Sequence, residues 1–70
     1  MKVVVDARWD DEARVWVAVA RGNLGLVTEA STVEELESRI ALLLPDLLEG
    51  EAPGPVEVEL IAKRTQTIAA

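Results

Sequence analysis

The chain has 70 residues with no cysteine and no histidine, and its 13 acidic and 7 basic residues give a net charge of -6. This composition excludes disulfides, thiolate metal sites and histidine-based catalysis, and an acidic surface disfavours DNA or RNA binding because it repels phosphate. No apolar run approaches the roughly 18 residues of a membrane span and no signal peptide is evident, so we expect a cytoplasmic protein without membrane contact.

The N-terminal part of the chain predicts a β-hairpin. Residues 2–9 alternate as a first strand, and residues 14–21 (RVWVAVAR) predict a second strand that is apolar on both faces, as strands buried on both sides are. The acidic segment between them, 10–13, predicts the loop of the hairpin. Its three adjacent carboxylates lack the alternating spacing of a calcium loop, so we expect a solvated turn.

Two glycines then precede a short third strand, predicted over residues 26–30. Gly22 and Gly25 could suggest a loop that binds phosphate, but no lysine follows and a strand separates them from the next helix. Both features conflict with known phosphate loops. We therefore expect a turn in which glycine supplies a positive φ.

A helix is predicted over residues 32–49, with a break near Pro45 because proline removes a backbone hydrogen bond. Thr32 and Glu35 form a capping box in which the hydroxyl and the carboxylate each accept a backbone N–H; Ser31 with Glu34 fits equally well one residue earlier. Spacings of three and four residues predict one apolar face. That face comprises Val33, Leu36, Ile40, Leu43, Leu44 and Leu47.

A connector rich in proline and glycine, 51–55, leads to a fourth strand over residues 56–63. The order β-β-β-α-β predicts a single α+β domain over residues 1–70. A right-handed crossover places the fourth strand parallel to the first, so the four-stranded sheet has the order 3-2-1-4 with the helix on one face.

One helix cannot cover both faces of this sheet. If Trp9 and Trp16 share a face, they lie under the helix, as core residues rather than as stacking platforms for a ligand; a register slip of one residue would exchange the faces of the second strand. The uncovered face is then apolar with a charged rim, which is typical of a partner surface. Alternatively, the C-terminal tail folds over it. The rim is predicted to contain Asp6, Arg8, Glu57, Glu59 and Lys63, around Val4, Val15, Val17, Val19 and Ile61.

No arrangement of residues in the sequence indicates an enzyme, and we predict no catalytic, cofactor or metal site. One alternative is that the order of elements resembles the first part of a ribonuclease H-like fold, which would make Asp6, Glu57 and Glu59 metal ligands. However, Glu57 and Glu59 alternate with apolar residues as in any half-buried strand, and fold analogy alone is weak support.

A different resemblance covers residues 2 to about 50. A strand ending in W-D, the run V-W-V-A, the turn with L-G-L-V-T-E-A and the helix start S-T-V-E-E-L together resemble the HicB-like antitoxin domain, with the segment 24–36 the most specific part. The chain departs from the family pattern at Leu24, where the family has proline, and we expect it to lack the C-terminal DNA-binding segment of typical HicB antitoxins.

The resemblance implies a protein-interaction module that binds and masks a small basic toxin ribonuclease, without the repressor function. Family domains also tend to self-associate, and the uncovered sheet face independently suggests a homo-oligomer. We therefore predict that the partner-binding residues are Asp6, Val17, Val19, Glu57 and Glu59. The alternative is an orphan homo-oligomeric HicB-like domain without a toxin partner.

Overall fold

The computed structural model describes residues 1–50 and 54–69 and has the predicted order of elements, β-β-β-α-β. The elements are β1 (Lys2–Asp10), β2 (Val15–Ala20), β3 (Val27–Ala30), α1 (Val33–Leu48) and β4 (Glu57–Lys63). The sheet order is β3-β2-β1-β4, with β1 antiparallel to β2 and parallel to β4. The predicted fold class and strand order are therefore confirmed. Residues 51–53 of the predicted connector lie outside the described residues.

The register of the first hairpin decides which face α1 covers. Trp9 lies directly opposite Trp16, and directly opposite residues of an antiparallel pair point to the same side of the sheet. The register is therefore the one that places both tryptophans on the helix side. Val15, Val17 and Val19 consequently point to the other side.

The core lies between α1 and one face of the sheet. Leu36, Ile40 and Leu44 of α1 are buried, and they pack with sheet and turn residues in one cluster. The buried sheet and turn residues are Val3, Val5, Ala7, Ala18, Ala20, Leu26 and Ala30. The small alanines of β1, β2 and β3 allow the helix to approach the sheet closely, which keeps this small core dense.

The predicted apolar face of the helix is wider than the buried one. Leu43 and Leu47 are exposed, because α1 packs mainly over β3 and β2 and only the four-residue repeat of Leu36, Ile40 and Leu44 points at the sheet. The two tryptophans also differ: Trp16 packs against the core, whereas Trp9 is half-buried and does not belong to the core cluster. The prediction that Trp9 is a core residue is therefore wrong.

The acidic segment forms the turn between β1 and β2. The Asp10 carboxylate accepts the backbone N–H groups of Glu12 and Ala13 at 3.1 Å. The Asp11 carboxylate accepts from the Arg14 guanidinium at 2.9 Å and from Trp9 Nε1 at 3.2 Å. These carboxylates stabilise the turn itself, which agrees with the predicted hairpin loop.

Glycine determines the second turn. Gly22 and Gly25 have φ values of 84° and 76°, in the left-handed region that residues with a Cβ rarely adopt. The buried Leu26 follows at once, and its carbonyl accepts the Ala20 N–H at 3.0 Å. The glycine pair therefore reverses the chain between β2 and β3, as predicted.

Helix α1 begins at Val33, and Thr32 is its N-cap. The Thr32 hydroxyl accepts the Glu35 N–H at 3.0 Å, so Thr32, rather than Ser31, caps the helix. The reciprocal half of the predicted box is different: Glu35 accepts the Ser31 hydroxyl at 3.0 Å and pairs with Arg39 at 3.5 Å. The Glu35 carboxylate therefore bonds to two side chains, whereas in a capping box it would accept a backbone N–H.

The expected break near Pro45 is wrong, because α1 continues through Pro45 to Leu48 and ends at Glu49 in a left-handed conformation. Proline has a helical φ, and the hydrogen bond it omits would use the carbonyl of Ala41, an exposed residue that water can reach. Leu44 and Leu48 on either side of Pro45 pack on the core, which holds the last turn. No helix within the described ranges has the length and apolar character needed to cross a bilayer.

Removing the N-cap should weaken the fold measurably. We expect Thr32→Ala to lower the free energy of unfolding by about 1 kcal/mol, because the Glu35 N–H loses its acceptor. Ser31→Ala is the matched control, since it removes only an exposed contact between side chains. Urea denaturation followed by circular dichroism measures both, and equal losses in the two variants would contradict the assignment of the cap.

Candidate functional site

The face of the sheet opposite α1 is hereafter called the open face. Cross-strand partners assign its members, since side chains alternate between the faces of a strand. Its apolar members are Val4, Val15, Val17, Val19, Val27 and Ile61, and its charged members include Asp6, Arg8, Glu29, Glu57, Glu59 and Lys63. All five predicted partner-binding residues therefore lie on one face of the sheet.

The open face carries apolar residues on β2, β3 and β4, hereafter called the apolar strip (Val17, Val19, Val27 and Ile61), and Asp6 of β1 separates Val19 from Ile61. Val19 lies opposite Val27 on one side and Asp6 on the other, and Asp6 in turn lies opposite Ile61. Val19 is 47% exposed and Val27 is 64% exposed. A shallow hollow of about 360 Å³ includes Val17, Val19 and Ile61 in its lining. Exposed valines side by side on a sheet are unfavourable in water, so this strip suits burial against a partner.

The C-terminal tail does not remove this exposure. Residues 64–69 are themselves exposed, and the Arg64 guanidinium lies 4.3 Å from the ring centroid of Trp9 on the helix side of the sheet. The Arg14 guanidinium also lies over the Trp9 ring, at 5.2 Å, and Trp16 packs edge-to-face at 5.5 Å. The chain's own residues thus surround Trp9, which disfavours its use as a stacking platform for a ligand.

Asp6 forms a bidentate ion pair with Arg21. Arg21 Nε lies 2.7 Å from Asp6 Oδ2, and Arg21 Nη2 lies 2.9 Å from Oδ1. The guanidinium donors hold the pKa of Asp6 below its ordinary value of 3.8, and the nearby charges of Arg21 and Lys63 act in the same direction. Asp6 is therefore already neutralised within the chain, so it is a weaker anchor for a basic partner than the sequence suggests.

This ion pair predicts a measurable titration. We expect Arg21→Gln to raise the pKa of Asp6 back toward 3.8, followed by carboxyl NMR chemical shifts, and Arg39→Gln is the control because Arg39 pairs with Glu35 instead. A group whose pKa is lowered by folding stabilises the protein above its unfolded pKa and loses that contribution as the pH falls through its folded pKa. The wild type should therefore lose a small increment of stability in the acid range below 3.8 that Arg21→Gln lacks. An unchanged titration of Asp6 would contradict this assignment.

The remaining charges of the open face are mixed in sign. Glu59 pairs with Lys2 at 3.2 Å, and Arg8 lies beside Lys63 in the register. Much of the acidic excess lies elsewhere, in the turn after β1 and on the outer surface of α1. The predicted acidic rim is thus balanced locally by lysine and arginine.

The carboxylates proposed as metal ligands do not converge. Asp6 is held by Arg21 and Glu59 by Lys2. Within the ranges that the structure describes, no three acidic residues lie close enough to hold a metal ion. The arrangement corresponds to that of solvent-facing strand residues with ion-pair partners.

Two residues of the open face were not predicted as part of it. Val27 begins the short strand β3 and is its most exposed apolar residue; its pairing with Val19 could have been inferred by counting back through the glycine turn. Arg21 follows β2, and its position two residues after Val19 predicts the same face by alternation. Alternation along β2 is enough to place Arg21, whereas placing Val27 also requires the register across the second turn.

Comparison with known proteins agrees with this fold. A family model described as a domain of unknown function, DUF1902, matches residues 2–69, and this family is HicB-like. The crystal structure of a hypothetical protein from the extremely thermophilic bacterium Thermus thermophilus is 45% identical in sequence, covers 97% of this chain and 100% of its own, and superposes with a TM-score of 0.80. No curated protein matches significantly. Because the family model spans nearly the whole sequence, the chain belongs to the DUF1902 family.

Proposed function

We propose that this protein is an antitoxin-type interaction module that binds and masks a small basic toxin ribonuclease through its open face. The observation that carries the proposal is the apolar strip of Val17, Val19, Val27 and Ile61, which α1 does not cover. Val19 and Val27 are exposed and Val17 and Ile61 are half-buried, although the same sheet has a well-packed core on its other side. A contiguous apolar patch rimmed by charge is characteristic of a surface that binds another protein.

Charge and family membership support the class of partner. The net charge of -6 steers a basic protein toward the molecule over a distance of about one Debye length. Because the rim of the open face has charges of both signs, the apolar strip contributes most of the binding free energy. The family is HicB-like, and masking an enzyme needs only a binding surface, so the proposal assigns no catalytic residue and no cofactor to this chain.

A second candidate is an orphan homo-oligomeric domain that associates through the same open face. The balance of charges on this face favours it, because a surface with both signs can complement itself about a two-fold axis. In that case Val17→Asp should dissociate the oligomer, whereas a masking module should lose only its partner.

The decisive experiment begins with the genes beside the one that encodes this chain. A neighbour that encodes a short basic protein should be co-expressed, purified and assayed for RNA cleavage with and without this chain. The proposal expects co-purification, loss of cleavage and restored growth on co-expression. If such a protein neither co-purifies with this chain nor has its toxicity relieved by it, the proposed function is wrong.

A further inference from the structure

Strand β4 forms a long edge of the sheet. It lies at the end of the order β3-β2-β1-β4 and pairs only with β1, over seven residues without proline. The opposite edge, β3, has only four residues and contacts α1. A long edge with free backbone groups is a template for pairing with another strand, and most proteins block or cover such an edge.

The backbone of β4 shows which residues face the free edge. The Glu57 N–H donates to the Met1 carbonyl at 2.9 Å, so Glu57 points its backbone groups at β1. Backbone direction alternates along a strand. Val58, Leu60 and Ala62 therefore direct their N–H and C=O groups away from β1, toward the free edge.

The charges along β4 are self-complementary. The strand begins with Glu57 and Glu59 and ends with Lys63. Glu57 and Lys63 point to the open face and, among the described residues, neither forms an ion pair in this chain. They lie about 20 Å apart along the strand, so they cannot pair within one molecule. In a second copy running antiparallel, each could lie opposite the other.

We propose that two copies of this chain associate by antiparallel pairing of their β4 edges, which makes one continuous sheet. Hydrogen bonding requires an outward-facing residue opposite an outward-facing residue, so a slip by one residue is excluded. In the register that matches the free charges, Leu60 lies opposite Leu60 of the second copy, and Val58 lies opposite Ala62. Glu57 then lies opposite Lys63 of the second copy, twice by symmetry.

A second register that also pairs outward-facing residues places Glu59 opposite Lys63. It is less favourable because Glu59 already pairs with Lys2. The register with Glu59 opposite Glu59 of the second copy brings like charges together, which is destabilising. The inferred register therefore satisfies both the hydrogen bonds and the charges of the edge.

The helix side of β4 has apolar surface that this pairing would cover. Because α1 lies over β3 and β2, Val58 is 37% exposed and Leu60 is only partly buried. In this register, directly opposite residues point to the same side of the sheet, so both helices lie on the same side of the joined sheet. Val58 and Leu60 of each copy then meet apolar residues across the boundary, which adds burial to the backbone hydrogen bonds.

A charge exchange tests the register directly. The wild type should sediment as a concentration-dependent dimer. Glu57→Lys and Lys63→Glu should each weaken dimerisation by about tenfold, because two attractive pairs become two repulsive ones. The double variant Glu57→Lys with Lys63→Glu should restore dimerisation to near the wild-type level, which only contact between copies can produce. A monomeric wild type, unaffected single variants or a double variant that stays dissociated would each overturn the proposal.

A backbone variant and an open-face variant complete the experiment. Ala62→Pro removes an outward N–H that β1 does not use, so it should give a folded monomer by circular dichroism and sedimentation, while Ala62→Ser should remain a dimer. Val17→Asp should leave the edge dimer intact. If Val17→Asp dissociates the dimer and the charge variants do not, association occurs through the open face and the edge proposal is wrong. These measurements need no toxin, so they are independent of the proposed function.

Discussion

Leu36→Ala should unfold a substantial fraction of this protein at moderate temperature. Leu36 has no exposed surface and belongs to the core cluster between α1 and the sheet. Truncating a buried leucine costs about 2 to 5 kcal/mol, through lost transfer free energy and the cavity left behind. A chain of this size has a total stability of about 3 to 10 kcal/mol, so one substitution removes a large share of it.

The same helix offers a matched control, Leu42→Ala. Leu42 is 76% exposed, and alanine is at least as good a helix former as leucine. We expect Leu42→Ala to change the free energy of unfolding by less than about 0.5 kcal/mol. Thermal and urea denaturation of both variants measure the difference, and comparable losses at Leu36 and Leu42 would show that α1 does not pack on the sheet as described.

Val19→Lys should weaken binding of the proposed basic partner at the open face and leave the fold intact. Val19 belongs to the apolar strip and lies between Val27 and Asp6 in the register. A lysine there removes apolar contact area and adds a charge that repels a basic protein. We expect a loss of affinity of about 100-fold, because truncating or charging a residue at the centre of an interface has the largest effect.

The control for this variant is Leu42→Lys, which adds the same charge on the outer surface of α1. Leu42→Lys changes the net charge by the same amount as Val19→Lys, so its effect on affinity measures the long-range electrostatic attraction alone. Calorimetry with the purified partner should show little change for Leu42→Lys and a large one for Val19→Lys. Equal losses in both variants would show that net charge, and not the open face, determines binding.

Local pattern was sufficient for most of the architecture. The alternation in KVVVDARW and VEVELIAK, the glycines in GNLG and the capping pattern at Ser31 and Thr32 each have a local physical cause, and the predicted order of elements is the observed one. The width of the buried helix face was not predictable in this way. Leu43 and Leu47 have the same spacing as buried residues, and only the position of α1 over β2 and β3 leaves them exposed. Pro45 likewise fits because its unused acceptor, the carbonyl of Ala41, belongs to an exposed residue.

The open face shows the same division. Period-two alternation placed Asp6, Glu57 and Glu59 on a common side with Val17 and Val19 once the register was known, but it offered no way to see that Arg21 neutralises Asp6 at 2.7 Å. Such pairs depend on which residues become neighbours across strands, and this follows from the hairpin register and the crossover rather than from adjacent residues.

By itself, then, the sequence determined the kind and order of the elements and the turns between the strands, because these depend on interactions within a few residues. The tertiary structure alone decided which apolar side chains of the helix stay exposed and which charges are already paired. Those properties depend on contacts between distant segments, and they are the ones from which a binding surface is made.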